Sequence, residues 1–320
     1  MMHEPDALVL AGGPDPEREV SIMSAESVTD ALRAAGLVVN HQVIDAPSVG
    51  ELAEMSGAVV FPVLHGPWGE GGTLQELLEE TGRPFVGSGP AAARLAMDKI
   101  ATKLLAASLG VPTAQTALFD QRDPIPPIDP PVVVKPVRDG SSKGVHLVHD
   151  REGWDRVWGE LSVVHDLPTH MVETLIAGRE LTIGLLDRGK AGGVSPCNGL
   201  ESLSPIEIRP ASDSYDYEAK YEREDTGYVV NPRLAPGVAS LASDYALRLA
   251  RGLGIRDLAR VDFLMDNEDR VWMLEINTMP GFTSHSLLPM AAADMGIPMP
   301  QLCAGLVQLA SARGADRVEA

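Results

Sequence analysis

Four polar residues near the carboxyl-terminal end of the chain are spaced to face one side of a β-hairpin. Segments 258–265 and 270–277 have the composition of strands, and the polar turn 266–269 joins them. Because successive strand residues point to opposite faces, the pattern predicts one apolar and one polar face. The apolar face would hold Val261, Phe263, Met265, Trp272, Leu274 and Ile276. The polar face would hold Arg260, Asp262, Glu275 and Asn277.

The polar face suits a magnesium ion bound together with a phosphoryl group. Magnesium is usually held by a few carboxylates plus phosphate oxygens, and the amide adds a further hard oxygen. Arg260 could hold the phosphoryl group and balance the carboxylates. The alternative is an ordinary half-exposed hairpin whose charged face meets water. Segment 277–286 (NTMPGFTSHS) follows with hydroxyls, Pro and Gly, which is typical of an anion-holding loop before a helix.

Two lysines and a glycine-flanked loop point to phosphate binding elsewhere in the chain. Lys135 ends a β-branched strand, and segment 140–144 (GSSKG) follows it closely. Glycines beside hydroxyls let backbone N–H groups approach phosphate oxygens. The loop is not a Walker P-loop, and its alternative interpretation is a flexible hairpin tip. Lys99 lies in the first turn of a predicted helix, where the helix dipole disfavours a cation, although a solvated surface lysine is the default.

Two further candidates lie at the ends of predicted strands in the amino-terminal region. Glu17 follows the strand 7–10 and Gly12-Gly13, at the edge where α/β proteins bind ligands. The full dinucleotide fingerprint is absent, so a Rossmann-like opening without a nucleotide is favoured. His65 precedes a glycine-rich loop and is either an orienting group or the cap of a turn.

Composition limits the class of protein. The chain has 320 residues, 44% hydrophobic residues and a formal net charge of −19, with a mean hydropathy of +0.00. The negative charge opposes binding to nucleic acid or to an anionic membrane. No apolar run approaches the ~18 residues of a membrane span. The start lacks a signal-peptide pattern, and the two cysteines form no CxxC motif, so we expect a cytoplasmic protein.

The remaining pattern predicts a mixed α/β chain. Strands and helices alternate from the start, and segment 178–180 is predicted as a turn between two strands. Segment 212–221 (SDSYDYEAKY) contains three of the five tyrosines and lacks helical or strand periodicity, which favours a long functional loop. Helices are predicted over 287–295 and 300–312, with a frayed tail from residue 314.

Seven separated motifs resemble those of the D-alanine–D-alanine ligase family of the ATP-grasp superfamily. They are GGPDPEREVS, LHGPWGEGGTLQ, MDK, VVKPVRDGSSKGV, YDYEAKY, ARVDF and LEINTMPGFTSHS. The resemblance covers almost the whole chain in family order. It implies an α/β (α+β) three-domain ATP-grasp fold: a Rossmann-like substrate domain at 1–87, a central ATP-grasp lid domain at 88–174, and a carboxyl-terminal ATP-grasp domain at 175–320.

The resemblance also implies a role for each candidate residue. ATP would lie between the second and third domains, and Asp262, Glu275 and Asn277 would hold two magnesium ions, for which manganese could substitute. The nucleotide would be bound by Lys99, Lys135, Ser142, Glu173, Glu180 and Lys220. A hydrogen-bonded set of Glu17, Ser141 and Tyr221 would link the domains. Arg260 and the backbone of Gly281 would stabilise an oxyanion, Ser286 would bind the second substrate's carboxylate, and Glu17 the first substrate's ammonium.

The implied reaction joins two D-alanines through an acylphosphate, releasing ADP and phosphate, for peptidoglycan precursor synthesis. The implied partners are D-alanine and ATP, with no nucleic acid and no membrane, and the family expectation is a homodimer. One alternative is an ATP-grasp ligase with another acceptor, such as D-lactate or D-serine, or one that makes another dipeptide; Tyr221 favours an amine acceptor. A third hypothesis, a non-catalytic nucleotide-binding regulator, is disfavoured because all three metal-ligand positions are present.

Overall fold

The structure is a computed structural model that describes residues 6–141, 143–189, 199–209, 226–283 and 285–319, with side chains up to residue 314. Three of the residues implied in nucleotide or substrate binding, Ser142, Lys220 and Tyr221, lie outside these ranges. None of the helices in the described ranges is both long and apolar enough to cross a bilayer.

The amino-terminal region is built on a parallel three-stranded sheet. Its strand order is β2-β1-β3, and every residue of β1 is buried, as expected for a strand covered on both faces. The strands are β1 Ala7–Gly12, β2 Val39–Ile44 and β3 Val59–Pro62. The helices are α1 Arg18–Ala34, α2 Val49–Glu54, α3 Gly66–Gly69 and α4 Thr73–Glu80. This arrangement agrees with the Rossmann-like opening predicted from the alternation of strand, glycine and helix.

The middle of the chain carries a four-stranded antiparallel sheet of order β4-β7-β5-β6. Its strands are β4 Thr116–Leu118, β5 Val132–Pro136, β6 His146–Val148 and β7 His170–Thr174. Its helices are α5 Pro90–Met97, α6 Lys99–Ser108 and α7 Arg151–Ser162. Trp154 of α7 is buried against Val132, Val134 and Val172 of the sheet. Lys135 and Glu173 therefore lie on adjacent strands, at positions fixed by this small core.

The carboxyl-terminal region is built on a six-stranded antiparallel sheet. The order is β11-β10-β8-β12-β13, with β9 also paired to β8. The strands are β8 Gly178–Asp187, β9 Leu200–Ser202, β10 Ile206–Arg209, β11 Gly227–Val230, β12 Leu258–Asp266 and β13 Val271–Asn277. The helices are α8 Val238–Leu253, α9 Leu287–Asp294 and α10 Met299–Glu319. One core cluster contains residues of β1, β12 and α10, so the first and last regions pack against each other. The division into three domains at residues 87 and 174 stays a prediction.

The central hairpin is formed as expected on β12 but differs on β13. Val261, Phe263 and Met265 are buried together, whereas on β13 the buried residues are Val271, Met273 and Ile276. The prediction that Trp272 and Leu274 share the apolar face is wrong. The cause is a bulge: Asp262 pairs with Glu275, but Phe263 pairs with Met273, which leaves Leu274 as an extra residue. The bulge keeps both Met273 in the core and Glu275 on the polar face.

Two other predicted boundaries are wrong. Residues 178–180 are not a turn, because β8 begins at Gly178 and pairs with β12 along its whole length. Strand β12 supplies hydrogen bonds to Gly178-Arg179-Glu180, and these long-range bonds cannot be predicted from the local sequence alone. Helix α10 continues to Glu319 and does not fray from residue 314.

Candidate active site

Glu17 is placed at the junction between β1 and α1 with its carboxylate buried. It is the N-cap residue of α1 and is 3% exposed. Ser141 Oγ, from the glycine-flanked loop, donates a hydrogen bond of 2.7 Å to Glu17 Oε1. Gly66 and Gly140 pack against the carboxylate, and a Cβ on them would lie 2.8 Å from Oε2 and 2.9 Å from Oε1, respectively. The two sequence-distant residues Glu17 and Ser141 are thus brought together as the resemblance implied.

The second carboxylate oxygen of Glu17 is buried and has no hydrogen-bond partner among the described residues. Burial raises the pKa of Glu17, and the hydrogen bond from Ser141 and the charge of Lys143 only partly oppose this effect. An unpartnered buried carboxylate oxygen is costly. The unpartnered Oε2 of Glu17 therefore indicates a site where a ligand supplies a cationic or N–H-bearing group.

Arg260, Asp262, Glu275 and Asn277 lie on the polar face of the β12–β13 hairpin, as predicted. Arg260 pairs with Asn277 and Asp262 with Glu275 in the strand register. The Arg260 guanidinium donates two hydrogen bonds to the Asp262 carboxylate, at 2.9 and 2.8 Å. Thr182 Oγ1, on β8, donates a third to Asp262 Oδ1 at 2.6 Å. Asp262 is therefore held rigidly between two neighbouring strands.

The donor chemistry of this face fits magnesium. Asp262 and Glu275 are carboxylates on paired positions, and Asn277 supplies an amide oxygen, so the ligands are hard oxygens. Among the described residues there is no cluster of three or more His, Cys, Asp or Glu side chains that could hold a metal ion, so the candidate ligands here are two carboxylates and one amide. Magnesium commonly completes its coordination with substrate phosphate oxygens and water. The polar face therefore fits a magnesium ion whose remaining coordination positions are filled by the phosphate oxygens of a nucleotide.

The loop after β13 carries Gly281 and Ser286 in contact with each other. A Cβ at Gly281 would lie 2.8 Å from Ser286 Oγ, so a larger residue would displace the hydroxyl. Ser286 Oγ accepts a hydrogen bond of 2.9 Å from the backbone N–H of Thr283, and Ser286 is the N-cap of α9. A hydroxyl at a helix start beside a glycine is suited to bind a carboxylate.

A cavity of about 480 Å³ brings these groups together. Its lining includes eight of the residues proposed from sequence: Glu17, His65, Ser141, Arg260, Glu275, Asn277, Gly281 and Ser286. The lining contains the carboxylates of Glu17 and Glu275 and the guanidinium of Arg260. The cavity has a size typical of sites for small ligands, and its charges suit a zwitterionic molecule.

The proposed nucleotide ligands lie on α6, β5, β7 and β8. Lys99 Nζ is 3.5 Å from Glu275 Oε2 and donates to the backbone carbonyl of Asp139, so it lies between the glycine-flanked loop and the hairpin. Lys135 Nζ donates to Glu173 Oε1. Glu180 pairs with Leu264 in the register of β8 and β12, two residues before Thr182 on the same face. The structure thus places Lys99 beside the predicted metal face.

Three buried polar residues add to the site. Burial lowers the pKa of His65 to about 4, so its imidazole is neutral. Burial and the nearby Glu17 charge raise the pKa of Glu70 to about 8. Both line the cavity. Lys103, on α6, contacts Glu173 Oε2 at 2.8 Å. Glu70 and Lys103 were missed from sequence, although the Lys99-x-x-x-Lys103 spacing puts both lysines on one helix face.

The chain matches two family models. One, described as the D-ala D-ala ligase C-terminus, matches residues 125–308, and the other, the D-ala D-ala ligase N-terminus, matches residues 40–88. Among curated proteins, the D-alanine–D-alanine ligase of Bordetella petrii is 37% identical over 309 residues, covering 95% of this chain and 92% of that protein. The D-alanine–D-alanine ligase B of Chromobacterium violaceum is 40% identical, covering 92% and 94%, respectively.

Solved structures with the same fold include two ligases. The VanG D-Ala:D-Ser ligase from Enterococcus faecalis superposes with a TM-score of 0.79 at 24% identity, covering 96% of this chain and 100% of that chain. The D-alanine–D-alanine ligase from Coxiella burnetii gives a TM-score of 0.78 at 24% identity, covering 99% and 96%. These likenesses confirm the α/β fold class and the ATP-grasp architecture expected from sequence. The chain belongs to the D-alanine–D-alanine ligase family.

Proposed function

We propose that the protein joins two D-alanines into D-alanyl-D-alanine at the expense of ATP, for peptidoglycan precursor synthesis. The observation that carries the proposal is the cavity in which the buried Glu17 carboxylate, the Arg260 guanidinium and the Glu275–Asn277 face meet. Membership of the ligase family supports ATP use. The identity of the amino acids follows the names of the curated relatives.

The first D-alanine is bound through its charged groups. Its ammonium contacts Glu17, whose Oε2 is buried without a hydrogen-bond partner among the described residues. Ser141 fixes the orientation of Glu17 by donating to Oε1. The substrate carboxylate then points toward Arg260 and the hairpin, where the phosphoryl group arrives. This pairing of opposite charges across a small cavity selects an α-amino acid.

ATP lies against the second part of the site. Lys99 and Lys135, with Ser142 and Lys220 in segments outside the described residues, contact its phosphates, and Glu173 and Glu180 face the adenosine. Asp262, Glu275 and Asn277 would hold two magnesium ions, for which manganese could substitute. The chemistry that these ions would supply is neutralisation of charge on the phosphoryl group. The lysines act in the same direction, because phosphoryl transfer depends mainly on positioning and charge neutralisation.

The reaction proceeds in two balanced steps. A carboxylate oxygen of the first D-alanine attacks the γ-phosphorus, the bond to the β,γ-bridging oxygen breaks, and ADP leaves with D-alanyl phosphate remaining. The neutral amine of the second D-alanine attacks the acyl carbon, the bond from that carbon to the phosphate oxygen breaks, and the departing phosphate takes up the amine proton. Arg260 and the backbone N–H of Gly281 stabilise the oxyanion of the second step. Ser286 binds the carboxylate of the second D-alanine, and Tyr221 completes the set with Glu17 and Ser141.

The decisive experiment supplies ATP and magnesium with D-alanine alone, then with D-lactate or D-serine added, and identifies products by mass. We expect ADP and D-alanyl-D-alanine in equal amounts, with activity abolished by EDTA and restored by magnesium or manganese. The Glu275→Ala variant should stay folded and lose ADP release. Absence of D-alanyl-D-alanine would refute the proposed activity, and a mixed product as the main species would favour another acceptor.

We also propose that the protein is a cytoplasmic homodimer. The expectation from the ligase family supports both the location and the oligomeric state. Sedimentation equilibrium of the purified chain tests the dimer, and fractionation of the host cell tests the location. A monomer at micromolar concentration would contradict the first part.

A further inference from the structure

Lys103 is a buried cation that the proposed reaction does not use. Its side chain lies on α6 and is 4% exposed. Its ammonium contacts Glu173 Oε2 at 2.8 Å and donates a hydrogen bond of 2.6 Å to Thr113 Oγ1. Thr113 Oγ1 in turn donates to the backbone carbonyl of Met273 at 3.2 Å. Lys103 is therefore fixed against both the Glu173 carboxylate and the strand that carries Glu275.

A different lysine ammonium lies within ion-pair distance of each carboxylate oxygen of Glu173. Lys135, on β5, contacts Oε1, and Lys103 contacts Oε2. Lys99 is the further cation whose charge acts on Lys103. The two contacts are not equivalent, because Lys135 is proposed to bind ATP phosphates, whereas Lys103 has its second hydrogen bond to a threonine within the protein. Lys135 is therefore expected to contact a ligand, whereas Lys103 contacts groups of the protein.

We propose that Lys103 is the permanent counterion of Glu173, which allows Lys135 to move from Glu173 to the phosphates when ATP binds. This inference rests on the proposed nucleotide role of Lys135. Without Lys103, the phosphate would have to draw Lys135 away from a buried carboxylate that contacts no other cation within the part of the chain that the structure describes. A carboxylate left in that state either resists the exchange or takes up a proton. Lys103 is thus a positioning residue for nucleotide binding.

Burial and charge around Glu173 agree with this assignment. Burial acts to raise its pKa, but the charges of Lys135 and Lys103 outweigh burial, so the pKa lies below its usual value. Burial lowers the pKa of Lys103, and Glu173 opposes the shift. The Glu173 carboxylate and the Lys103 ammonium therefore each favour the charged form of the other.

The test measures binding of a non-hydrolysable ATP analogue and of adenosine to Lys103→Met by calorimetry. Met keeps the length of the side chain and removes its charge. We expect the analogue to bind about tenfold more weakly, with adenosine affinity unchanged within about twofold, because only phosphates draw on Lys135. We also expect close to one proton to be taken up with the analogue at pH 8 in Lys103→Met and none in the wild type, read from the buffer dependence of the enthalpy.

Three variants complete the design. Leu104→Met changes the exposed neighbour on the same helix and should leave both affinities unchanged. Lys103→Arg keeps the charge and should bind the analogue within about threefold of wild type. Lys103→Met/Glu173→Gln should bind the analogue as Glu173→Gln does, because no buried carboxylate remains to be neutralised. This last comparison also holds if Lys103→Met alone fails to fold.

The outcomes separate the inference from the proposed function. Failure of the wild type to bind the analogue would overturn the nucleotide site and this inference together. Wild-type binding with equal losses for adenosine and the analogue in Lys103→Met would show a merely structural role and overturn the inference alone. The inference would also be overturned if Lys103→Met weakened analogue binding as much in the Glu173→Gln background as it does in the wild type.

Discussion

Two glutamates of this protein have the same exposed fraction, but their neighbours shift their pKa values in opposite directions. Glu17 and Glu173 are each 3% exposed. Glu17 has a hydroxyl on one oxygen, and its pKa is raised by burial. Glu173 has a lysine on each oxygen, and its pKa is lowered because the two cations outweigh burial. Because the residue type and the exposed fraction are the same, the opposite pKa shifts come from the neighbouring side chains.

The difference indicates what each region receives. The Glu17 region has too few cations for its carboxylate, so a ligand that carries an ammonium group satisfies it. The Glu173 region has one cation more than carboxylates, so a ligand that carries negative charge satisfies it. A zwitterionic amino acid therefore suits the Glu17 region, and a nucleoside triphosphate suits the Glu173 region.

The strongest test of the comparison is Glu17→Gln. We expect kcat/KM for D-alanine to fall by about 100-fold, because losing one partner of a buried charge pair costs about 2–5 kcal/mol. KM for ATP should change by less than about threefold. Steady-state kinetics with each substrate varied in turn provides the measurement. Glu19→Gln, at an exposed position in the same helix turn, is the control, and equal effects on both substrates would break the comparison.

The hydrogen bond to Glu17 should matter less than its charge. In Ser141→Ala the carboxylate remains but loses its charge-assisted hydrogen bond, which is worth about 1.5–3 kcal/mol. We expect kcat/KM for D-alanine to fall by about tenfold. The pKa of Glu17 should also rise further, because the bond from Ser141 lowers it. The acid limb of the pH profile should therefore move to higher pH, and an unmoved limb would exclude this role of Ser141.

The pH profile of the wild type sharpens the contrast. The raised pKa of Glu17 means that its carboxylate is protonated first as the pH falls, whereas the lowered pKa of Glu173 keeps that group ionised. Between pH 8 and 5 we expect kcat/KM for D-alanine to fall by up to about tenfold per pH unit below the pKa of Glu17. Binding of the ATP analogue should stay nearly constant over the range. Parallel losses for both ligands would contradict the assignment.

The last prediction concerns stability rather than catalysis. Burial raises the pKa of Glu70 to about 8, above an unfolded value of about 4.3. A group with a raised folded pKa contributes stability at low pH that is lost as the pH rises toward that value. We expect urea unfolding free energies to decline from pH 5 to 8 by at most about 1.4 kcal/mol per unit. Glu70→Gln should flatten this decline, and identical slopes in both proteins would refute the shift.

Much of the fold and of the candidate site follows from the sequence where local pattern and tertiary structure agree. Alternation on β12 predicted which face Arg260 and Asp262 occupy, and the strand register confirms that face. The turn predicted at 178–180 failed because a distant strand pairs with it. Lys103 was missed because a lysine between helix formers resembles a surface residue. Its burial depends on β5 and β7, which follow it by about thirty to seventy residues. Contacts at such separations cannot be read from composition.

The bulge at Leu274 has a consequence for how the hairpin tolerates changes in length. Because Leu274 is the extra residue opposite Asp262 and Phe263, its deletion would restore simple alternation and leave Met273 in the core and Glu275 on the polar face. Deleting residue 276 instead would place Asn277 where Ile276 is now buried. The hairpin can therefore lose one residue at this position during evolution and keep its chemistry, whereas a deletion at 276 would bury the Asn277 amide and remove it from the polar face.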